Sequence, residues 1–137
     1  MYQLGKQSFR RHVATLLNLC GYETRMHKIL TGRSGMKHKI DIVAEKFEMP
    51  IEQVLLIKCK AKEENLCLRM DEVLLFYVQI VDTAADHGII ITTCEIPEDA
   101  AKFANYYRIR IIRGENMEEL KRAMFRGKVK EVSRVNI

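Results

Sequence analysis

The spacing of apolar residues in the first half of the chain changes once, from a helical period to an alternating one. Residues 7–20 have a helical apolar face, formed by Phe9, Val13, Leu16, Leu17 and Cys20. Strand-like runs follow near 22–30, 36–45 and 53–62, and the turn residues TGRSG join the first two. The first half therefore predicts one amphipathic helix followed by a three-stranded antiparallel meander.

The second half alternates between helical and short strand-like segments. A broad apolar face between Met70 and Ala84 predicts a largely buried helix, and GIIITTC is typical of a buried parallel strand. A helix opened by Pro97 and a strand over 108–112 come next. A last helix begins at Asn116 and ends near Gly127. Residues 128–137 predict a tail or an edge strand.

This order predicts an α/β fold in which a mixed β-sheet is flanked by helices. The elements follow one another as α-β-β-β-α-β-α-β-α, and the β-α-β-α-β part implies right-handed crossovers between parallel strands. No repeat or linker-like segment divides the chain, so residues 1–137 are expected to form a single domain.

Composition narrows the class of protein. The chain has 137 residues, of which 47% are hydrophobic and 30% charged, and no apolar run approaches the roughly 20 residues that cross a bilayer. The N-terminus has no apolar signal segment. We therefore expect a cytoplasmic protein without a membrane partner. The four cysteines form no C-x-x-C pair, which favours reduced thiols over a zinc site.

Positive charge is concentrated in the first half. Residues 1–62 carry twelve basic and five acidic side chains, whereas the remainder carries eleven and thirteen. Such a concentration suggests a polyanion partner, although an ordinary solvated basic surface is the alternative.

One acidic residue lies inside an apolar strand. Asp41 stands between Ile40 and Ile42, and a carboxylate there costs several kcal/mol unless it is paired, hydrogen-bonded or bound to a metal. Strict alternation puts Asp41 on one face with Lys39 and Val43, and in the following strand it puts Lys58, Lys60 and Lys62 on one face. If the strands are neighbours, Asp41 meets Lys58 or Lys60. A plain cross-strand ion pair and a catalytic pair both remain open.

These residues resemble a known group of enzymes. The arrangement HKIDIVAE…QVLLIKCKAK looks like the core of the PD-(D/E)xK nuclease superfamily, and residues 70–123 resemble the Mrr-like restriction endonuclease family. The resemblance implies a restriction-endonuclease-like fold. It also implies a magnesium- or manganese-dependent endonuclease that hydrolyses DNA phosphodiester bonds, with no small-molecule cofactor.

Carried over by position, the resemblance assigns roles to particular residues. Asp41 becomes a metal ligand, the backbone carbonyl of Cys59 a further metal oxygen, and Lys60 the lysine that orients water or stabilises charge. Lys58 occupies the motif position normally held by Glu or Gln. The residues expected to contact DNA are Arg33, Lys37, Lys39 and Lys62.

The sequence departs from the family pattern at two places. Lys58 is one; the first helix, which has Arg10, Arg11 and His12 where relatives often carry a Glu, is the other. An ammonium about 5 Å from a divalent ion costs about 7 kcal/mol at an effective dielectric constant of about 20. A carboxylate returning from the next segment, at Glu63, Glu64 or Glu72, is one remedy.

Two other interpretations therefore stand beside the endonuclease. The first is a catalytically inactive DNA-binding module that keeps the nuclease fold and uses Lys58 and Lys60 to hold phosphate. The second is a homodimer formed through the apolar helix 70–84. Among the remaining polar residues, His38 is expected to be a packed or surface histidine, and Thr92 and Thr93 are expected to be strand-end hydroxyls.

Overall fold

Five strands form one mixed sheet in the computed structural model, which describes residues 6–48, 51–62 and 67–125. The predicted element order is confirmed. The bounds are α1 (Lys6–Leu19), β1 (Glu23–Thr31), β2 (Lys37–Glu48), β3 (Ile51–Lys60), α2 (Met70–Thr83), β4 (His87–Thr92), α3 (Glu98–Tyr106) and β5 (Arg110–Arg113), followed by a helix over 117–125, here called α4. The predicted helix end near Gly127, the segment 128–137, Glu63 and Glu64 lie outside the described residues.

The strands lie in sequence order, β1-β2-β3-β4-β5. The first three pair antiparallel, as the predicted meander requires, while β3, β4 and β5 pair parallel through the α2 and α3 crossovers. β3 is therefore the strand at which the antiparallel half meets the parallel half.

Each face of the sheet carries its own apolar cluster. On one face, here called the α1 face, α1 and α4 pack on the sheet through residues that include Phe9, Val13, Ile42, Ile57 and Leu120. On the other, the α2 face, α2 and α3 do so through residues that include Leu56, Val73, Phe76, Ile90 and Ala100. Because β3 alternates between these clusters, its successive side chains reach opposite layers.

α2 is less buried than its composition predicts. Its buried residues are Val73 and Phe76, whereas its outer side exposes Leu74, Leu75, Val78 and Val81 by 43–56%. The sheet can cover only one side of a helix, and within the described residues nothing covers the other. The prediction of a largely buried helix is wrong for that outer side.

Side-chain alternation switches by one residue in the middle of β2. Ile42 belongs to the α1-face cluster, but Ile40 and Val43 both belong to the α2-face cluster. The register that pairs Met26 with Ile42 places His27 opposite Asp41, and His27 has a left-handed φ of 52°. A residue in that conformation interrupts the regular pleat. The prediction that Asp41 and Val43 share a face is therefore wrong.

Candidate functional site

Asp41 lies where β2 and β3 separate. The paired ladder of these strands ends at Ile42 and Ile57, and beyond it the Asp41 carboxylate replaces the missing backbone partner. Its Oδ2 accepts the backbone N–H of Cys59 at 2.9 Å. The carboxylate therefore closes the opening between two diverging strands.

The charge of Asp41 is balanced from α1. Arg10 Nη2 lies 2.8 Å from Asp41 Oδ1, and the two side chains are only 14% and 19% exposed. The expected ion pair with Lys58 or Lys60 does not form, because the switch in alternation turns Asp41 towards the α1 face while both lysines point to the α2 face. Sequence periodicity could not show this, because it assumes an unbroken pleat.

Lys58 and Lys60 share a different carboxylate. Lys60 Nζ donates to Glu72 Oε2 at 2.6 Å, and Lys58 Nζ lies 3.7 Å from the same oxygen. Burial raises the pKa of Glu72, but the hydrogen bond from Lys60, the backbone N–H of Arg69 and the two ammonium charges together lower that pKa below its usual value. Glu72 is thus an ionised partner for both lysines, and it is the only one of the three candidate returning carboxylates that lies within the described residues.

The backbone of Lys60 is fixed by the end of β4. Thr92 Oγ1 donates to the carbonyl of Lys60 at 2.7 Å, and the N–H of Thr93 donates to the same oxygen at 3.2 Å. Thr93 Oγ1 in turn accepts the N–H of Lys62 at 2.8 Å. The two threonines are strand-end hydroxyls, as predicted, and their effect is to hold the end of β3 in place.

The two clusters lie on opposite faces of the end of β3. Cys59, which binds Asp41, lies between Lys58 and Lys60, and we call the group formed by Arg10, Asp41, Lys58, Lys60 and Glu72 the β3-end site. Arg10 and Asp41 balance each other on the α1 face, whereas Lys58, Lys60 and Glu72 leave a net charge of +1 on the α2 face.

The β3-end site does not fit a divalent metal. Magnesium prefers a set of oxygen ligands, whereas Arg10 occupies one oxygen of Asp41 and Lys58 stands at the motif position normally held by Glu or Gln. Glu72 is engaged by two ammonium groups on the α2 face. Across the described residues, no three His, Cys, Asp or Glu side chains come together in a way that could hold a metal ion.

The residues expected to contact DNA all lie on the surface. Arg33, Lys37, Lys39 and Lys62 are exposed. Lys37 and Lys39 alternate with His38 and Ile40, which face α2, so their side chains leave the hairpin on the α1 side. Lys62 follows β3 directly. The structure brings none of the four into contact with the β3-end site, and their binding to DNA stays a prediction.

A polar cluster that the sequence did not reveal ties the β1–β2 turn to the end of α2. His38 is buried and its Nε2 lies 2.7 Å from Asp82 Oδ2. The backbone N–H and hydroxyl of Ser34 also donate to the Asp82 carboxylate. Hydrogen bonds from His38 and then Ser34 lower the pKa of Asp82 from 3.8 to about 2. His38 is a packed histidine, as expected; Asp82 carried no sequence signal, because its partners are more than 40 residues away.

A family comparison agrees with this fold. The model of the Mrr catalytic domain, described as a restriction endonuclease, matches residues 1–121. The chain belongs to this restriction endonuclease family. The predicted resemblance is confirmed, and nuclease activity is what membership suggests, although metal dependence does not follow from it. No curated protein matches the chain.

Solved structures show the same fold in longer proteins. AF1548, a protein of unknown function, is 24% identical with a TM-score of 0.66 over 77% of this chain and 57% of its own. The DNA modification-dependent restriction endonuclease AspBHI is 15% identical with a TM-score of 0.54 over 82% of this chain and 29% of its own. The chain thus spans little more than half of the first and less than a third of the second. Among the described residues, no helix could cross a membrane.

Proposed function

We propose that this domain binds the phosphodiester backbone of DNA and that binding here is independent of a metal ion. The observation that carries the proposal is a pair of cations: Arg10 in the first helix, where relatives often carry a Glu, and Lys58 at the motif position normally held by Glu or Gln. Arg10 offsets Asp41, and Lys58 leaves the α2-face part of the β3-end site with a net charge of +1. A site of that charge attracts a singly charged phosphodiester and repels a divalent cation.

Lys58 is the better candidate for phosphate contact at this site. Its side chain is 24% exposed and lies 3.7 Å from Glu72, whereas the side chain of Lys60 is 11% exposed and bound at 2.6 Å. Lys58 can therefore turn to a phosphate while Lys60 continues to neutralise Glu72. This division reverses the emphasis of the family motif, in which the second lysine is the functional one.

The exposed cations around the site extend the proposed contact. Arg33, Lys37, Lys39 and Lys62 are free to follow the sugar–phosphate backbone, and such contacts position a duplex without reading its sequence. Each phosphate contact releases condensed counterions, so affinity falls steeply as salt rises. A cytoplasmic location is consistent with this ligand and stays a prediction.

Fluorescence anisotropy with a labelled DNA duplex tests the proposal. We expect equal affinity in magnesium and in EDTA at matched ionic strength, together with a steep loss of affinity between about 50 and 200 mM salt. Lys58→Ala should weaken binding severalfold, while Lys121→Ala, which removes an exposed lysine from α4, should weaken it less. Binding that requires magnesium would reject the proposal.

A metal-dependent endonuclease is the second candidate, and family membership favours it. In that case Asp41 and the carbonyl of Cys59 would hold magnesium or manganese, and Lys60 would orient water or stabilise charge. The geometric point in its favour is the hydrogen bond from the Cys59 N–H, which holds the Asp41 carboxylate at the end of β3, one residue before Lys60. Nicking of plasmid DNA in magnesium or manganese, abolished by Asp41→Ala, would establish it. Cutting that persists in Asp41→Ala would reject the assignment of Asp41.

A further inference from the structure

We infer that Arg10 is a built-in cation that takes the place of a divalent metal at Asp41 and excludes metal ions from the β3-end site. The guanidinium lies 2.8 Å from Asp41 Oδ1, and the opposite oxygen is held by the Cys59 N–H at 2.9 Å. Both oxygens of the one carboxylate that the motif retains are thus already engaged. The inference concerns metal exclusion, and it can hold whether or not the domain binds DNA.

Arg10 is held in place by its helix. Its neighbour Phe9 is 2% exposed and Val13, one turn later, is fully buried, so α1 cannot rotate without breaking the α1-face cluster. A side chain at position 10 must therefore point to the end of β3. The fold therefore determines that residue 10 contacts Asp41, and in this sequence residue 10 is an arginine.

The position of Arg10 leaves one donor of its side chain without a partner among the described residues. Arg10 Nε is buried and, among the described residues, has no hydrogen-bond acceptor. Leaving a buried donor without a partner is unfavourable. The guanidinium nevertheless stays in the site, because its charge offsets that of Asp41 in a poorly solvated place.

Lys58 reinforces the exclusion from the next strand. Lys58 follows Ile57, the last residue of the β2–β3 ladder, and its side chain turns to Glu72 on the α2 face. A divalent ion at Asp41 would thus meet the charge of Arg10 directly and that of Lys58 from the opposite face of β3.

Reversing these two charges should create the metal site that the wild-type chain lacks. In the double variant Arg10→Glu/Lys58→Glu, a carboxylate replaces the guanidinium beside Asp41 and adds to the oxygen ligands that manganese and magnesium prefer. The second change removes the positive charge of Lys58 from the opposite face of β3. The matched control is Arg11→Glu/Lys62→Glu. It makes the same change in net charge at two exposed residues outside the site.

Isothermal titration of the full chain with manganese chloride, without DNA, decides the question. We expect no Asp41-dependent binding by the wild type at millimolar manganese. The double variant should bind one ion at least tenfold more tightly than the control, and adding Asp41→Asn should abolish that binding. Equal binding by the double variant and its control would overturn the inference.

The wild type provides a test that does not depend on the variant folding. If circular dichroism shows that the double variant is unfolded, manganese titration of the wild type and of Asp41→Asn is sufficient. A manganese site that is present in the wild type and lost in Asp41→Asn overturns the inference. A wild type without such a site supports it. Anisotropy in EDTA separates this outcome from the proposed function. Loss of DNA binding there rejects the function, whereas manganese binding by the wild type rejects the role of Arg10.

Discussion

Lys58 and Lys60 lie on the same strand but differ in how closely they bind their shared carboxylate. Both approach Glu72, but only Lys60 makes a short hydrogen bond to it, at 2.6 Å. Removing Lys60 leaves a part-buried carboxylate with a distant partner, which costs more than removing an exposed ion pair. We expect Lys60→Ala to lower the free energy of unfolding by about 1–3 kcal/mol, and Lys58→Ala by less than about 1 kcal/mol.

Urea unfolding followed by circular dichroism measures the two effects. Glu72→Gln removes the shared partner and provides the control: in that background, Lys60→Ala should cost much less than it does in the wild type. Equal losses for the two lysine variants in the wild type would contradict the division of roles.

Asp82 gives a prediction about pH. The pKa of its carboxyl is about 2 in the folded protein and 3.8 as an ordinary value, so between these values the unfolded chain binds more protons and stability rises with pH. The stabilisation is complete above about pH 5 and is lost as the pH falls through about 2. The stability difference between the wild type and Asp82→Asn should therefore shrink on acidification.

Urea midpoints measured from pH 6 down to pH 2 would show this dependence. Glu118→Gln, an exposed change on α4, supplies the background pH dependence. A difference between the wild type and Asp82→Asn that stays constant over the whole range would contradict the assignment of the low pKa to Asp82.

Sequence reasoning reached Asp41 and the lysines but not their partners. Alternation rests on a regular pleat, but the alternation of β2 switches at Asp41, where the left-handed His27 lies opposite on β1. The lysine partner predicted for Asp41 was therefore wrong, and Arg10 was missed. The departure from the family pattern in the first helix is the sequence signal for Arg10. A basic residue at a position often held by an acid can pair with the acid that remains.

At the scale of elements, the β1–β2 turn approaches the end of α2 closely at Gly32. Gly32 lies against Asp82, and a Cβ at this position would overlap the carboxylate. Gly32→Ala should therefore displace Asp82 from Ser34 and His38. We expect a loss of about 1–3 kcal/mol in unfolding free energy, together with a weaker pH dependence between about 4 and 2.

Thermal and urea unfolding of Gly32→Ala measure that loss. Gly35→Asn is a useful comparison, because Gly35 has open space around it and a φ of 90° in the left-handed half of the map, where asparagine is tolerated better than most residues. It should cost less than Gly32→Ala. The reverse order would show that backbone conformation, and not the contact with Asp82, controls the turn.

The order of elements was predictable because each segment carries its own period. Helix α1 shows a 3.6-residue spacing, and β4 is a short β-branched run of the kind that fills parallel sheets. The extent of burial of α2 was not predictable, since periodicity records how many apolar residues a helix has and not how many layers cover it. Long-range pairs such as His38 with Asp82 likewise leave no local pattern.

At the scale of the whole molecule, the charge asymmetry follows the two halves of the sheet. The basic first half supplies α1, the meander and all of the proposed DNA contacts, and the second half supplies the crossovers that hold β3. The chain spans 57% of AF1548, and the organisation of residues 1–137 into a single domain stays a prediction.

The exposed apolar side of α2 supports the prediction that the protein forms a homodimer. Leu75, Val78 and Val81 are 56%, 49% and 55% exposed, and residues 73–81 contain no charged side chain. A twofold axis places identical surfaces together, and an uncharged apolar stripe can face its own copy without repulsion. Leu75→Glu would place two like charges across such an interface, which is unfavourable in a desolvated contact.

Light scattering of the wild type should therefore give twice the chain mass, and Leu75→Glu should give the mass of one chain. Lys102→Glu, an exposed change on α3, should leave the wild-type mass unaltered. If dimerisation and DNA binding are separate properties, monomeric Leu75→Glu should still bind a short duplex in EDTA. Its affinity should be lower than that of the wild type if both subunits of the dimer contact the same duplex. A wild type that is monomeric at high micromolar concentration would reject the homodimer and leave the β3-end site untouched.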